Sequence, residues 1–315
     1  MTHIAKDIVA TFSIVAFDPA TGELGIAVQS KFLGVGAVVP WAKAGVGAVA
    51  TQSYANTSYG PRGLEWMEQG KTAQETLELL VADDSERDLR QVGIVDAKGR
   101  AATFTGKKCY PWAGGITGPN YAAQGNILAG EETVLAMGRT FEQAKGPLAE
   151  RLLKALQAGQ AAGGDRRGQQ SAALLVVKER GGYGGYNDRY IDLRVDDHPR
   201  PIEELIRLYE LRQLYFEKPR PEKVAVMEGA VKEEAAFHLI RLGYLPKERA
   251  ADSEALHEAL RAYIHTENFE ERELEKGKID LDVLAYMKQQ PSPQGKNKKI
   301  KTITAWLVGR MNGVV

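Results

Sequence analysis

The residues that usually announce hydrolytic chemistry are sparse in this chain. Its 315 residues include one cysteine and five histidines, at positions 3, 198, 238, 257 and 265. No histidine lies in a G-x-S-x-G elbow or an H-E-x-x-H metal site, and no Cys/His cluster occurs. Lys107 and Lys108 would lower the pKa of Cys109, but a reactive thiol also needs a base beside it, and none is near. A hydrolase made from this sequence would have to work without histidine. An N-terminal threonine can do so. Its α-amine, with an unperturbed pKa of about 8, is a general base for the hydroxyl of the same residue. Thr11 is the candidate, at the start of "TFSIVAFDPATGELGIAVQSKF". Read plainly, it is a β-branched residue opening a strand.

Two loops offer polar groups that such a reaction could use. "QGN" places the amides of Gln124 and Asn126 on either side of a glycine, an arrangement suited to a substrate amide or simply to a turn. "GGDRRG" contributes Asp165 and Arg167. The carboxylate could accept a proton or orient an amine, and the guanidinium could clamp a substrate carboxylate. An exposed salt bridge is the alternative. Asp196-Asp197 reads as a helix N-cap, with Pro201 just inside the helix.

The elements that would position these groups follow from periodicity. A hairpin runs over 11–17 and 24–30, closed by Asp18-Pro19 and Gly22. Two short strands follow in "GAVVPWAKAGVGAVATQS", then a helix over 61–68. A capping box, "TAQE" from Thr72, opens a second helix. A second hairpin spans 91–95 and 100–105. Helices are predicted over 131–139 and 147–158, strands over 171–178 and 190–195, and an amphipathic helix over 202–216. Hairpins alternating with helices indicate antiparallel sheets with helices outside, an α+β layered fold rather than a βαβ dinucleotide fold. "EKPRPEK" (217–223) is the best linker. Helices over 225–242, 253–265 and 281–289 then form a small unit, followed by a basic linker and an apolar tail.

Composition narrows the partners. Lys+Arg and Asp+Glu are both 41, giving zero formal net charge, so no global charge favours nucleic acid or acidic lipid. No apolar stretch approaches the about 20 residues of a membrane span. The N-terminus lacks the apolar segment of a signal peptide, and the single cysteine rules out an intrachain disulfide framework. Cytoplasmic location is the expectation. No GxGxxG or Walker pattern occurs, so neither cofactor nor metal is expected.

The ordered segments "TFSIVAFDPATGELGIAVQSKF", "VGAVVPWAKAGVGAVATQSYAN", "RQVGIVDAKGRAATFTG", "YAAQGNILAG", "GPLAERLLKALQAGQAAGGDRRGQQSAALLVV" and "YGGYNDRYIDLRVDDHP" resemble the bacterial DUF1028 family. That family is similar to N-terminal-nucleophile (Ntn) hydrolases. The resemblance implies a four-layered αββα domain over 11–217 and amide-bond hydrolysis with Thr11 as nucleophile. The superfamily hairpin carries a charged partner for the nucleophile, which points to Lys31. Strand alternation puts Lys31 with Gln29 on one face and Ser30 on the other. After the next strand pair such folds place oxyanion donors, pointing to the N–H groups of Thr51 and Gln52 and the side chain of Asn56. The expected catalytic set is Thr11, Lys31 and Asp165. Gln29, Ser30, Thr51, Gln52, Asn56, Gln124, Asn126 and Arg167 are the expected oxyanion or substrate contacts.

Family members begin with that threonine directly after the initiator Met, whereas here residues 1–10 form an extension or propeptide. Either the Ala10–Thr11 bond is cut or the site is blocked. The segment "HLIRLGYL…ALRAYIHTENFEER…GKIDLDVLAYM" resembles a peptidoglycan-binding-like domain often appended to this family. It implies a small all-α domain over 218–290, with 291–315 as linker and tail. Tyr244, Tyr263 and Phe269 could stack on sugar or, at helical spacing, form core. The expected activity is hydrolysis of a small amide or peptide, cell-wall derived or not, by a homo-oligomer. The alternative is a non-catalytic binding or scaffold protein on the same fold.

Overall fold

In a computed structural model the described residues are 11–292. The expectations for residues 1–10 and for the tail beyond 292 lie outside them. The chain divides into two compact units between Leu208 and Tyr209, inside a helix rather than in the proline-rich stretch after it.

The first unit is built on two antiparallel sheets. Strands β1 (Thr11–Phe17) and β2 (Leu24–Ser30) form the first hairpin. Gly22 closes its turn at φ 74°, a backbone conformation that glycine adopts without steric cost. The residues that follow do not run straight into a strand: Val35–Ala37 is a 3-10 turn. Then come β3 (Pro40–Lys43) and β4 (Gly47–Ser53), helix α1 (Tyr59–Glu68) and helix α2 (Ala73–Ala82). The capping box at Thr72 forms as expected, with Glu75 N donating to Thr72 Oγ1 and Thr72 N to Glu75 Oε2. Strands β5 (Arg90–Asp96) and β6 (Ala101–Thr105) make the second hairpin. A third hairpin, β7 (Gly114–Gly118) and β8 (Tyr121–Gly125), has no counterpart in the sequence reading. Helices α3 (Glu132–Gln143) and α4 (Leu148–Ala161), strands β9 (Ser171–Val177) and β10 (Arg189–Val195), and helix α5 (Pro201–Phe216) follow.

The strand orders are β10-β9-β2-β1-β8-β7 and β3-β4-β5-β6. The sheets face one another through β1, β2, β8 on one side and β3, β4, β5 on the other, with α3 and α4 outside the first sheet and α1 and α2 outside the second. The result is an α/β/β/α sandwich. Alternation assigns the faces. Val15, Leu24, Ile26 and Val28 meet Ala48 and Ala50 between the sheets. Gly25 turns the other way, where an added Cβ would lie 2.6 Å from Leu152 of α4. Val49 and Ile94 pack with Tyr59 and Leu80 under α1 and α2. Because both faces of the inner strands are covered, their sequences read as nearly continuous apolar runs.

The second unit contains β11 (Val224–Val226), α6 (Gly229–Leu242), α7 (Ser253–Thr266), β12 (Lys278–Asp280) and α8 (Leu281–Gln289). The helix expected over 225–242 forms from Gly229, its first residues belonging instead to the short β11–β12 ribbon. Gly243 ends α6 at φ 86°, and Tyr244 stands edge-on to Tyr263 with ring centroids 5.4 Å apart. Tyr263 and Phe269 are fully buried, so they are core and offer no ring face to a sugar. Among the described residues, no helix is long and apolar enough to cross a membrane.

Candidate functional site

Thr11 opens β1 and pairs with Ser30, the last residue of β2. On the inter-sheet face of β1 it is followed by Ser13, whose Oγ donates to Gln52 Oε1 at 2.6 Å. Both Thr11 and Ser30 are fully buried. At this end of the sandwich the apolar core gives way to a network of amides drawn from both sheets.

Gln52 and Gln91 face each other across β4 and β5, and Gln52 Nε2 donates to Gln91 Oε1 at 2.8 Å. Gln52 Nε2 also reaches Thr11 O at 3.3 Å. Asn126 donates its backbone N–H to Thr11 O at 3.0 Å and its Nδ2 to Gln91 Oε1 at 2.9 Å. Gln91 Nε2 crosses between the sheets to Gly125 O at 2.7 Å and also meets Thr105 Oγ1 at 2.9 Å. Gln124 Nε2 donates to Ser13 Oγ at 2.7 Å. Gly93 makes room for that side chain, since a Cβ there would sit 2.0 Å from Gln124 Oε1.

The network is not closed. Gln124 Oε1 and Asn126 Oδ1 are buried without a hydrogen-bond partner. An unpaired buried polar atom costs about 1–3 kcal/mol, so these acceptors are held in place against a real penalty. The backbone beside them is also strained. Ile127 has φ 53° and Ser53, closing β4, has φ 67°. For a β-branched residue that conformation is an outlier, and such strain concentrates at functional positions.

A second group lies alongside. The Asp165 side chain is fully buried, and it accepts from Lys31 N at 3.1 Å, Arg167 N at 2.9 Å and Arg167 Nη2 at 2.9 Å. Arg166 N donates to Ile127 O at 3.0 Å, and Gln170 N to Ser30 O at 3.0 Å. The Asp165 loop is therefore stitched both to the end of β2 and to the segment after Asn126 that holds Thr11 O.

Other expected residues are placed elsewhere. Lys31 turns to the face opposite Thr11, as alternation requires, and its exposed Nζ lies 3.4 Å from Gln169 O. Gln29 shares that face, fully buried, with neither end of its amide hydrogen-bonded. Thr51 uses its N–H on Val39 O at 3.2 Å and its hydroxyl on Asn56 O at 3.1 Å, so it has no oxyanion donor to offer. Asn56 is absorbed in a loop lock. Its Nδ2 donates to Asp84 Oδ2 at 3.0 Å, and its Oδ1 accepts from Ser58 Oγ at 2.7 Å. Arg167 is turned onto Asp165 and Lys31 O. Gln52 enters the site through its side chain, not through its N–H.

Asp84 anchors that lock. Burial would raise its pKa, but hydrogen bonds from Arg90, Asn56, Glu86 N and Tyr59 outweigh it and hold the carboxyl far below the usual range. Burial pushes the Cys109 thiol up, the wrong direction for a nucleophile. Asp196-Asp197 does not cap α5, because Asp197 Oδ1 instead accepts from Gln170 Nε2 at 3.1 Å. Among the described residues no group of three or more His, Cys, Asp or Glu could hold a metal ion. Ser13, Gln91 and Thr105 were not anticipated. The available signal was a polar residue at an inward position of strands that otherwise read as apolar.

Comparison with known proteins agrees with the two-unit division. Residues 11–205 match the sequence model of "Family of unknown function (DUF1028)", and residues 215–287 match "Putative peptidoglycan binding domain". The crystal structure of a DUF1028-family protein from Silicibacter pomeroyi is 33% identical over 65% of this chain and 86% of that one, with a TM-score of 0.60. No curated protein matches. The chain belongs to the DUF1028 family of unknown function, and the stretch after it is similar to the domain described as "Putative peptidoglycan binding domain".

Proposed function

We propose that the first unit is an amide hydrolase of the N-terminal-nucleophile type, with Thr11 as nucleophile once its α-amine is free. The observation that carries this reading is the convergence of buried amides from both sheets on the strand end that Thr11 occupies, with two acceptors left unpaired. Exposure of the amine would proceed by attack of Thr11 Oγ1 on the Ala10 carbonyl. The C–N bond breaks as the ester forms, and water then hydrolyses the ester to release the preceding segment. In the mature protein the α-amine takes the hydroxyl proton as Oγ1 attacks a substrate carbonyl. Gln52, Gln91, Gln124 and Asn126 are the groups that would fix strand end and substrate amide. Asp165, tied to the chain at Lys31, is the carboxylate nearest in connectivity for orienting the amine. Lys31 and Arg167 would need to leave their present partners to take part.

Treatment with a β-lactone, which acylates a reactive hydroxyl by ring opening, tests this reading. Peptide mass spectrometry should locate the adduct on Thr11, and Thr11→Ala should abolish it. Labelling that is unchanged in Thr11→Ala would overturn it.

A second reading is a non-catalytic binding protein on the same fold. It is favoured by the full burial of Thr11 and by the engagement of the Lys31 ammonium with Gln169 O. The match of residues 215–287 suggests a cell-wall-derived ligand for it.

A further inference from the structure

Beyond the strand ends, three segments of the first unit lie side by side. Ile127 N donates to Tyr110 O and Leu128 N to Trp112 O, each at 3.0 Å. On the other side Arg166 N donates to Ile127 O and Ala129 N to Gly164 O, again at 3.0 Å. Leu128 and Asp165 complete the pairing as an antiparallel bridge. Segments paired in this way lie about 5 Å apart, which sets Tyr110, Ile127 and Arg166 in a row across a shelf. The shelf adjoins Thr11, because Asn126, the residue before Ile127, donates its N–H to Thr11 O. Its two ends differ in kind. Tyr110 is 46% exposed, and its side chain is hydrogen-bonded to that of Tyr54. Arg166 is exposed, and among the described residues its guanidinium meets no carboxylate. The neighbouring Arg167 is instead turned onto Asp165 and Lys31 O.

We propose that this shelf selects the substrate of the Thr11 site, and that the substrate is an amide carrying a free carboxylate beside an aryl group. The inference rests on the reading of Thr11 as nucleophile and names the class of amide that it takes. Arg166 receives the carboxylate, whose two oxygens match the fork of the guanidinium in a charge-assisted pair. Tyr110, held by Tyr54, supplies the ring against which the aryl group packs. Leu33, in the turn after β2 and 63% exposed, adds apolar surface at the end where Ser30 pairs with Thr11. The Asp165 carboxylate does not oppose an incoming anion, because Arg167 already matches it at 2.9 Å. The reaction itself is the hydrolysis described above. The C–N bond breaks as Thr11 Oγ1 is acylated, the amine leaves with the proton that the α-amine took, and water then splits the ester to release the acid.

The test compares two β-lactones on the purified full chain, one bearing a benzoate and the other the methyl ester of that benzoate. The rate at which each acylates Thr11 is read by peptide mass spectrometry. The benzoate should react about five-fold faster or more, the effect of one bidentate pair at a partly open site. Its advantage should shrink as salt is raised. Arg166→Gln should bring the two rates to near equality, and because Arg166 is exposed and unpaired the variant keeps its fold. Tyr110→Ala should slow both lactones. Equal rates in the unaltered protein, or an advantage that survives in Arg166→Gln, would overturn the proposal while leaving Thr11 as the nucleophile. Acylation of Thr11 by neither lactone would overturn both the proposal and the reading on which it rests.

Discussion

Replacing Gln91 by leucine tests whether the amide network holds the Thr11 end of the sandwich together. Leucine is close in volume to glutamine, so little cavity should form, and the effect isolates the hydrogen bonds. Gln91 Oε1 accepts from Gln52 Nε2 and Asn126 Nδ2, and its Nε2 donates to Gly125 O and Thr105 Oγ1. Gln52 Nε2 keeps its contact with Thr11 O, but Asn126 Nδ2 and Gly125 O lose the side-chain partner they have in Gln91. One orphaned donor, Asn126 Nδ2, at about 1–3 kcal/mol, with the lost bond to Gly125 O, which stays in its ladder, at about 0.5–1.5 kcal/mol, gives about 1.5–4.5 kcal/mol, and added apolar burial offsets about 1 kcal/mol of it. The expected net loss is about 0.5–3.5 kcal/mol, which for a unit of this size lowers Tm by about 2–4 °C per kcal/mol. Urea unfolding followed by far-UV circular dichroism measures it. In a cycle with Asn126→Leu, the double variant should lose clearly less than the sum of the singles, because the second substitution removes a donor already orphaned. A Gln91→Leu loss below about 0.5 kcal/mol, the range of ordinary surface changes, would refute the reasoning.

Other consequences are equally concrete. The stability contributed by Asp84 is fully present above the carboxyl's unfolded pKa of about 4 and is lost as pH falls through its depressed folded value; Asp84→Asn should therefore flatten the acid limb of a stability–pH curve, and an unchanged limb would contradict that. The same substitution removes one of two carboxylate partners of Arg90, which keeps Glu86 at 2.7 Å, so a loss of about 1–3 kcal/mol is expected in denaturant titration near neutral pH. Gly93→Ala places a methyl against Gln124 Oε1 and should cost about 1–3 kcal/mol as overpacking, again read by denaturant unfolding.

Much of the layered architecture was legible because its signals are local. The first hairpin carries Asp18-Pro19 and Gly22 in its turn, and the capping box at Thr72 is complete within four residues. The β7–β8 hairpin was not legible: "GGITG" has no alternation, and "YAAQG" is made of small residues whose strand state depends on lying beside β1. The same division holds for the site. Thr11 stood out because no histidine competed with it, and Gln124 and Asn126 because two amides flank a glycine. Lys31, Thr51 and Asn56 were assigned by analogy of position, whereas their partners, Gln169, Val39 and Asp84, lie far away in sequence. Ser13 and Gln91 sit in strands so apolar that only the opposing sheet gives their polarity a purpose.

The central claim is that Thr11 acts as a chain terminus, and the intact mass of the purified protein tests it most directly. The account predicts that protein able to take a β-lactone on Thr11 has lost everything before that residue and begins with a free threonine amine. A mass that retains Ala10 in protein that is fully active would contradict it.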